Sequence, residues 1–271
     1  MIVSQRHKFV FVHIPKNAGT TVETLLKPHL DPLQDLHVSQ SAELPDNSNL
    51  LGNMEGLKLL KHIPAHRIRR TLWNGLYDDM FSFAISRNPY SRCLSAYSFI
   101  AKRAAIDEEK KARQEADPAR DRTKFIDLTF AEVCARLPEI AKEHRLFRPQ
   151  TLWLRDPDSV NFVGRLESLA EDLRIVYTRL GLPTDALDAM PVHNRKTESG
   201  DWRNMPGTCI DTIRSFYAGD FERFGYSTDF NGDDGAPPRS FVARPAPLTP
   251  NARTTRPLRK IVRTSTGGET E

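Results

Sequence analysis

Between Lys8 and Ile14 the chain is apolar, rich in β-branched and aromatic residues, and it stops at Pro15. That pattern predicts a buried strand. A helix follows the stretch PKNAG; it is expected to open at Thr20 or Thr21, both good N-caps, and to end near Lys27 because Pro28 cannot continue it. A second strand is predicted in MFSFAISRNPY, residues 80–90, broken at Asn88-Pro89. The helix after it carries Tyr90, Cys93, Leu94, Tyr97 and Ile100 on one face and Ser91, Ser95, Ser98 and Lys102 on another. SVNFVGRL reads as a third strand, with Leu166, Leu169, Leu173, Val176, Tyr177 and Leu180 marking its following helix.

Further helices are expected at about 127–137 and 142–148, and a last one at about 208–224 puts Ile210, Ile213, Tyr217, Phe221 and Phe224 on a core face. Residues 29–56 lack periodicity and are rich in proline, glycine, asparagine and serine, so they read as a loop able to close over a ligand. In GLKLLKHIPAHRIRRTLW, Pro64 opens a helix to about Leu72 and sets His62 at its entrance. Residues 102–124 are dominated by charge, as in a solvated helix extension or a mobile insertion. Strands alternating with helices imply an α/β fold with a central, mostly parallel sheet flanked by helices, whose ligands sit beyond the carboxyl ends of the strands.

Composition narrows this picture in three ways. The 271 residues, 39% of them apolar, can fill a sizeable core, and after Tyr226 the chain turns to proline, glycine, threonine and arginine. The expected organisation is one domain over residues 1–230 and a disordered basic tail over 231–271. A net charge of +4, from 39 basic and 35 acidic residues, is too mild to announce nucleic acid but suits an anionic ligand. Cys93, Cys134 and Cys209 are too sparse for a disulfide framework and too far apart for a close-spaced metal pair, which fits a reducing compartment. The apolar run near the N-terminus is too short for a transmembrane segment and lacks the flanks of a signal peptide, so a cytoplasmic location is expected.

The chemistry concentrates in PKNAGTT. A loop between a strand and a helix N-terminus offers unpaired amides and the positive end of a helix dipole, Gly19 permits close approach, Lys16 adds charge, and Thr20 and Thr21 add hydroxyls. Alone, the same residues read as a turn, a cap and a surface lysine. The Walker pattern is not met, because Lys16 precedes Gly19 and no first glycine exists. AISRNPYSRCLSAY supplies a second anion-binding element, with the fork of Arg87 at a strand end and Ser95 about two helical turns later.

With both motifs in this order, the chain resembles the sulfotransferases that use 3′-phosphoadenylyl sulfate (PAPS), and among them the carbohydrate sulfotransferases. RPQTLWL, NFVGRLESLAEDL and FYAGDFERFGY extend the resemblance over roughly residues 8–226. It implies a P-loop-like three-layer fold, PAPS as cofactor with no metal required, and a hydroxyl-bearing acceptor, most simply a carbohydrate. It implies that Lys16, Asn17, Ala18, Gly19, Thr20 and Thr21 hold the 5′-phosphosulfate and that Arg87 and Ser95 hold the 3′-phosphate. Asn17 departs from the small hydroxyl residue or cysteine usual at its place, though its amide still donates.

Sulfuryl transfer requires a stabiliser for the leaving phosphate, for which Lys16 is the candidate, and a base for the acceptor proton. His62 is the first candidate base, since KHIPAHRIR lies between the two phosphate motifs as in the family; His66 is its rival, and a helix-capping role is the plain alternative for His62. His193, Asn194, Arg195 and Lys196 form a second polar cluster. Arg148 and Gln150, with Arg165 and Arg195 behind them, are acceptor candidates or else ordinary surface and salt-bridge groups. Two other classes stay open: a phosphoryl-transfer enzyme with an unusual loop, which needs magnesium, and a non-catalytic anion-binding module. Specific nucleic-acid recognition ranks last, because no basic-aromatic interleaving occurs.

Overall fold

The computed structural model describes residues 1–32, 34–38, 61–72, 75–112, 125, 127–188, 190 and 202–230. Most of the closing loop, the second half of the charged insertion, the His193 to Lys196 cluster and the tail lie outside the described residues. Five strands form one sheet in the order β3-β1-β2-β4-β5: β1 (Ile2–Ser4), β2 (Phe9–Val12), β3 (Asp35–His37), β4 (Phe81–Ser86) and β5 (Phe162–Arg165). β2, β4 and β5 are parallel, while β1 runs antiparallel to both β2 and β3, so four strands of the five point one way.

Alternation along β2 divides the core in two. Phe9 and Phe11, with Phe83, Ile85 and Phe162, pack on α1 (Gly19–Leu26) and α6 (Leu169–Leu180) through Val22, Leu26, Leu173 and Tyr177. Val10, Val12 and Ala84 face the opposite layer. That layer contains α2 (Ala65–Thr71), α3 (Pro89–Ala112), α4 (Phe130–Ala135), α5 (Leu137–Glu143), α8 (Gly207–Phe216) and α9 (Ala218–Phe224), while α7 (Asp185–Asp188) adds Leu187 to the first. The strands are buried on both faces, which is why they read as continuous apolar runs. This is a three-layer, P-loop-like α/β fold. Among the described residues no helix is long and apolar enough to cross a membrane.

Several elements differ from the sequence pattern for identifiable reasons. α1 opens at Gly19, behind Ala18 in a left-handed conformation with no side-chain cap, so neither threonine caps it and both are exposed. β3 lies inside the expected loop; it has one buried apolar side chain, Leu36, and is fixed by pairing with β1 and by Asp35, which accepts from the amides of Asp31 at 2.8 Å and Arg6 at 3.2 Å. The helix expected at 142–148 is displaced to Leu137–Glu143, with Pro138 in its first turn. The last helix is two, parted at Tyr217, whose buried hydroxyl donates to the Phe147 carbonyl at 2.5 Å. α3 begins at Pro89 and runs into the charged stretch; of its polar stripe Ser91 and Ser95 are buried, Ser98 is half-buried and Lys102 exposed, and the adjoining Arg92 is buried.

Candidate functional site

The parallel register sets Val12 beside Ala84 and Ser86 beside Arg165, so the loop after β2 and the residue after β4 emerge at the same sheet edge. In the loop, Lys16 (φ 69°) and Ala18 (φ 55°) are both left-handed, a conformation that costs a non-glycine residue about 1 kcal/mol or more. Asn17 between them holds the loop in place. Its buried amide donates to the Ile85 carbonyl at 2.7 Å and to Gln150 Oε1 at 2.6 Å. The first α1 bond runs from the Val22 amide to Ala18, leaving the amides of Gly19, Thr20 and Thr21 without helical acceptors at the positive end of the dipole.

Arg87 is bracketed by the same glutamine. Gln150 Oε1 accepts from the Arg87 amide at 3.0 Å and Gln150 Nε2 donates to the Arg87 carbonyl at 2.8 Å, a side chain imitating one more rung of the sheet. Asp220 in turn accepts from the amides of Gln150 at 2.7 Å and Thr151 at 2.9 Å. The Arg87 guanidinium donates to Ser91 Oγ at 2.8 Å and, through Nη1, to the Lys16 carbonyl at 3.2 Å. Arg92 joins them, donating to the carbonyls of Pro15 and Leu146, both at 3.2 Å.

Three cations thus meet at one end of the sheet, and no carboxylate of the described residues lies in ion-pair contact with them. Burial, with the charges of Arg87 and Arg92, lowers the Lys16 pKa to about 8, and burial lowers that of Arg87 to about 10. Lys16 Nζ rests 4.3 Å from the centre of the Phe99 ring. Ser95, one turn beyond Ser91, is buried and makes no side-chain hydrogen bond among the described residues. A strained loop, helix amides and a cluster of unneutralised cations fit a phosphate or sulfate ester.

The model of the sulfotransferase family matches residues 1–227. The chain belongs to the sulfotransferase family. None of the curated proteins and none of the solved structures compared matches it. Membership makes it a transferase enzyme that moves sulfuryl groups onto a hydroxyl-bearing acceptor, in a family that generally uses PAPS.

In this sulfotransferase, His62 lies beside the cradle. Its Nδ1 donates to the His13 carbonyl at 3.1 Å, and its ring meets the His13 ring edge-on at 4.4 Å. The proton therefore sits on Nδ1 and the lone pair on Nε2. Burial, then the His13 charge, lowers the His62 pKa to about 3. His66 is one turn away on α2, its Nδ1 buried without a partner, and burial also lowers its pKa. His13 packs its ring against Gly19, with Nδ1 on Glu23 Oε1 at 2.8 Å.

Other candidates have different tasks. The Asn17 side chain is 1% exposed and spent on internal bonds, so it is a strut of the loop and no donor to an anion. Gln150 is fully buried as the bracket of Arg87 and is not presented to an acceptor, while the exposed Arg148 donates to the carbonyls of Ala141 at 3.0 Å and Lys142 at 2.8 Å, closing α5. Arg165 donates to the Gly225 carbonyl at 2.7 Å and stacks on Tyr226, which pins the end of α9. Sequence reasoning missed Arg92 and Glu23. The signal for Arg92 was a lone arginine among the apolar positions of α3; Glu23, on a short helix, had none.

The His13 ring also explains Gly19. A Cβ there would lie 1.9 Å from His13 Nε2, on a buried ring with no room to retreat. Gly19→Ala is expected to cost about 1–3 kcal/mol as overpacking, a fall of roughly 5 °C in the thermal midpoint. An unchanged midpoint would show that the ring can leave this position.

Proposed function

We propose that the protein transfers the sulfuryl group of PAPS to a hydroxyl of a carbohydrate acceptor. One observation supports this reading: Arg87 donates to the Lys16 carbonyl, so the two motifs expected to grip the two ends of one nucleotide lie side by side. The amides of residues 18–21 and Lys16 receive the 5′-phosphosulfate, and Arg87 with Ser95 receives the 3′-phosphate. Bound there, PAPS supplies the sulfuryl group and leaves as adenosine 3′,5′-bisphosphate. Lys16 offsets the charge growing on the leaving phosphate. His62 takes the acceptor proton on Nε2, while its Nδ1–H stays on the His13 carbonyl. The choice of carbohydrate rests on the resemblance of the motifs to carbohydrate sulfotransferases.

Titration with adenosine 3′,5′-bisphosphate and with ATP under identical conditions tests the nucleotide assignment. The bisphosphate should bind much more tightly, and Arg87→Ala should weaken it about thirtyfold, the worth of a charged hydrogen bond of about 2 kcal/mol. Equal affinity for the two nucleotides would favour a phosphoryl-transfer enzyme instead.

The same titration should depend on pH. Lys16 loses its charge as pH rises through about 8 in the free protein, whereas an anion beside it keeps the proton on. Bisphosphate affinity should therefore fall about tenfold between pH 7 and pH 9, and Lys16→Met should abolish that dependence. A flat profile in the unaltered protein would remove Lys16 from the phosphate site.

His62→Ala should leave bisphosphate affinity nearly intact and slow transfer from PAPS to saccharide hydroxyls about a hundredfold or more, read as release of adenosine 3′,5′-bisphosphate. Turnover near that of the unaltered protein would pass the role of base to another group, His66 first.

A further inference from the structure

Behind the cradle, on the buried side of α1, the carboxylate of Glu23 is surrounded by nitrogen groups from four segments. The Met1 ammonium lies 3.1 Å from Oε1 and His13 Nδ1 2.8 Å from it; Lys61 Nζ is 2.7 Å from Oε2 and His37 Nε2 3.9 Å. Burial pushes the Glu23 carboxyl up, but the hydrogen bonds from His13 and His37, and after them the charges of the Met1 ammonium and His13, outweigh it, and the group is held far below the usual carboxylate range. For stability alone, well-packed apolar side chains serve as well as such a buried ionic cluster.

The partners of Glu23 are the residues that fix His62. Lys61 directly precedes it and is gripped twice, by Glu23 at its side chain and by the Met1 ammonium at its carbonyl, 3.1 Å away. His13 supplies both the carbonyl that accepts from His62 Nδ1 and the ring against which His62 rests. Of the charges that reach His62, those of His13, Arg145 and the Met1 ammonium all disfavour its protonation. Every contact that orients the imidazole thus returns to one carboxylate.

We propose that Glu23 is a positioning residue that holds His13 and Lys61 so that His62 keeps its proton on Nδ1 and turns Nε2 toward the anion cradle. It rests on the reading of His62 as the base. It adds that His62 is oriented from the far side of α1, by a group that meets neither nucleotide nor acceptor.

The test uses ring nitrogen NMR of His62 in the full chain, assigned with His62→Ala, beside the binding of adenosine 3′,5′-bisphosphate. In the unaltered protein His62 should appear as the Nδ1–H tautomer and stay neutral to below pH 5. In Glu23→Gln and in Lys61→Met it should show mixed tautomers and titrate between about pH 6 and 7, the range of a released imidazole. Bisphosphate affinity should stay within about threefold, because the cradle amides, Lys16 and Arg87 are untouched. The Lys61 side chain is less buried than that of Glu23, so Lys61→Met carries the test if Glu23→Gln does not fold. Retention of the Nδ1–H tautomer and the low pKa in the variants overturns the positioning role. Failure of the unaltered protein to bind the bisphosphate overturns the nucleotide reading instead, so the two failures are told apart.

Discussion

The arrangement on which the site depends is the positive charge of Lys16, Arg87 and Arg92, held outside any ion pair among the described residues at the carboxyl ends of two parallel strands. Burial first, and the like charges of Arg92 and its neighbours after it, disfavour the charged forms of Lys16 and Arg87. They are tolerated because their hydrogen bonds go to carbonyl oxygens of Pro15, Lys16 and Leu146, and to Ser91. Such acceptors orient a guanidinium without cancelling its charge. The neighbouring carboxylates form their hydrogen bonds elsewhere: Glu167 accepts from the Asn88 amide and the Tyr226 hydroxyl, both at 2.9 Å, and Asp220 from the amides of Gln150 and Thr151. An anion entering the cradle meets cations that no carboxylate of the described residues pairs with, while the charges of Glu167 and Asp220 reach Arg87 and Arg92 only through space.

How much of this was legible follows from what each residue contacts. β2, β4 and β5 and the order of the two phosphate motifs could be read, because burial on both faces writes a continuous apolar run and because loop chemistry is local. β1 and β3 could not. Three residues each, they carry no periodicity, and their pairing is set by contacts with the rest of the sheet. The break at Tyr217 was hidden as well, since Phe221 and Phe224 continue the helical spacing while the tyrosine hydroxyl is drawn to a carbonyl seventy residues away.

Within the site, the side chains proposed to meet an anion were easier to recognise than those that hold the site up. Lys16 and Arg87 were expected from their types and places. Asn17 and Gln150 were assigned to ligands on the same grounds, yet both amides turn inward, because a loop with two left-handed residues needs an internal tie and an arginine at the last rung of a strand needs a neighbour for its backbone. A polar side chain in a motif can serve the ligand or the backbone, and the spacing is the same in either case.

The histidines show why support and chemistry cannot be separated here. Burial keeps His62 neutral, with a pKa near 3, which guarantees an available lone pair but makes it a poor proton acceptor. The same burial that weakens Lys16 as a cation weakens His62 as a base, and one change reverses both: negative charge placed in the cradle favours the protonated forms of each. In the proposed reaction the nucleotide that Lys16 and Arg87 attract is therefore also what brings His62 toward useful basicity. Proton abstraction then becomes favourable only when a sulfuryl donor is in place.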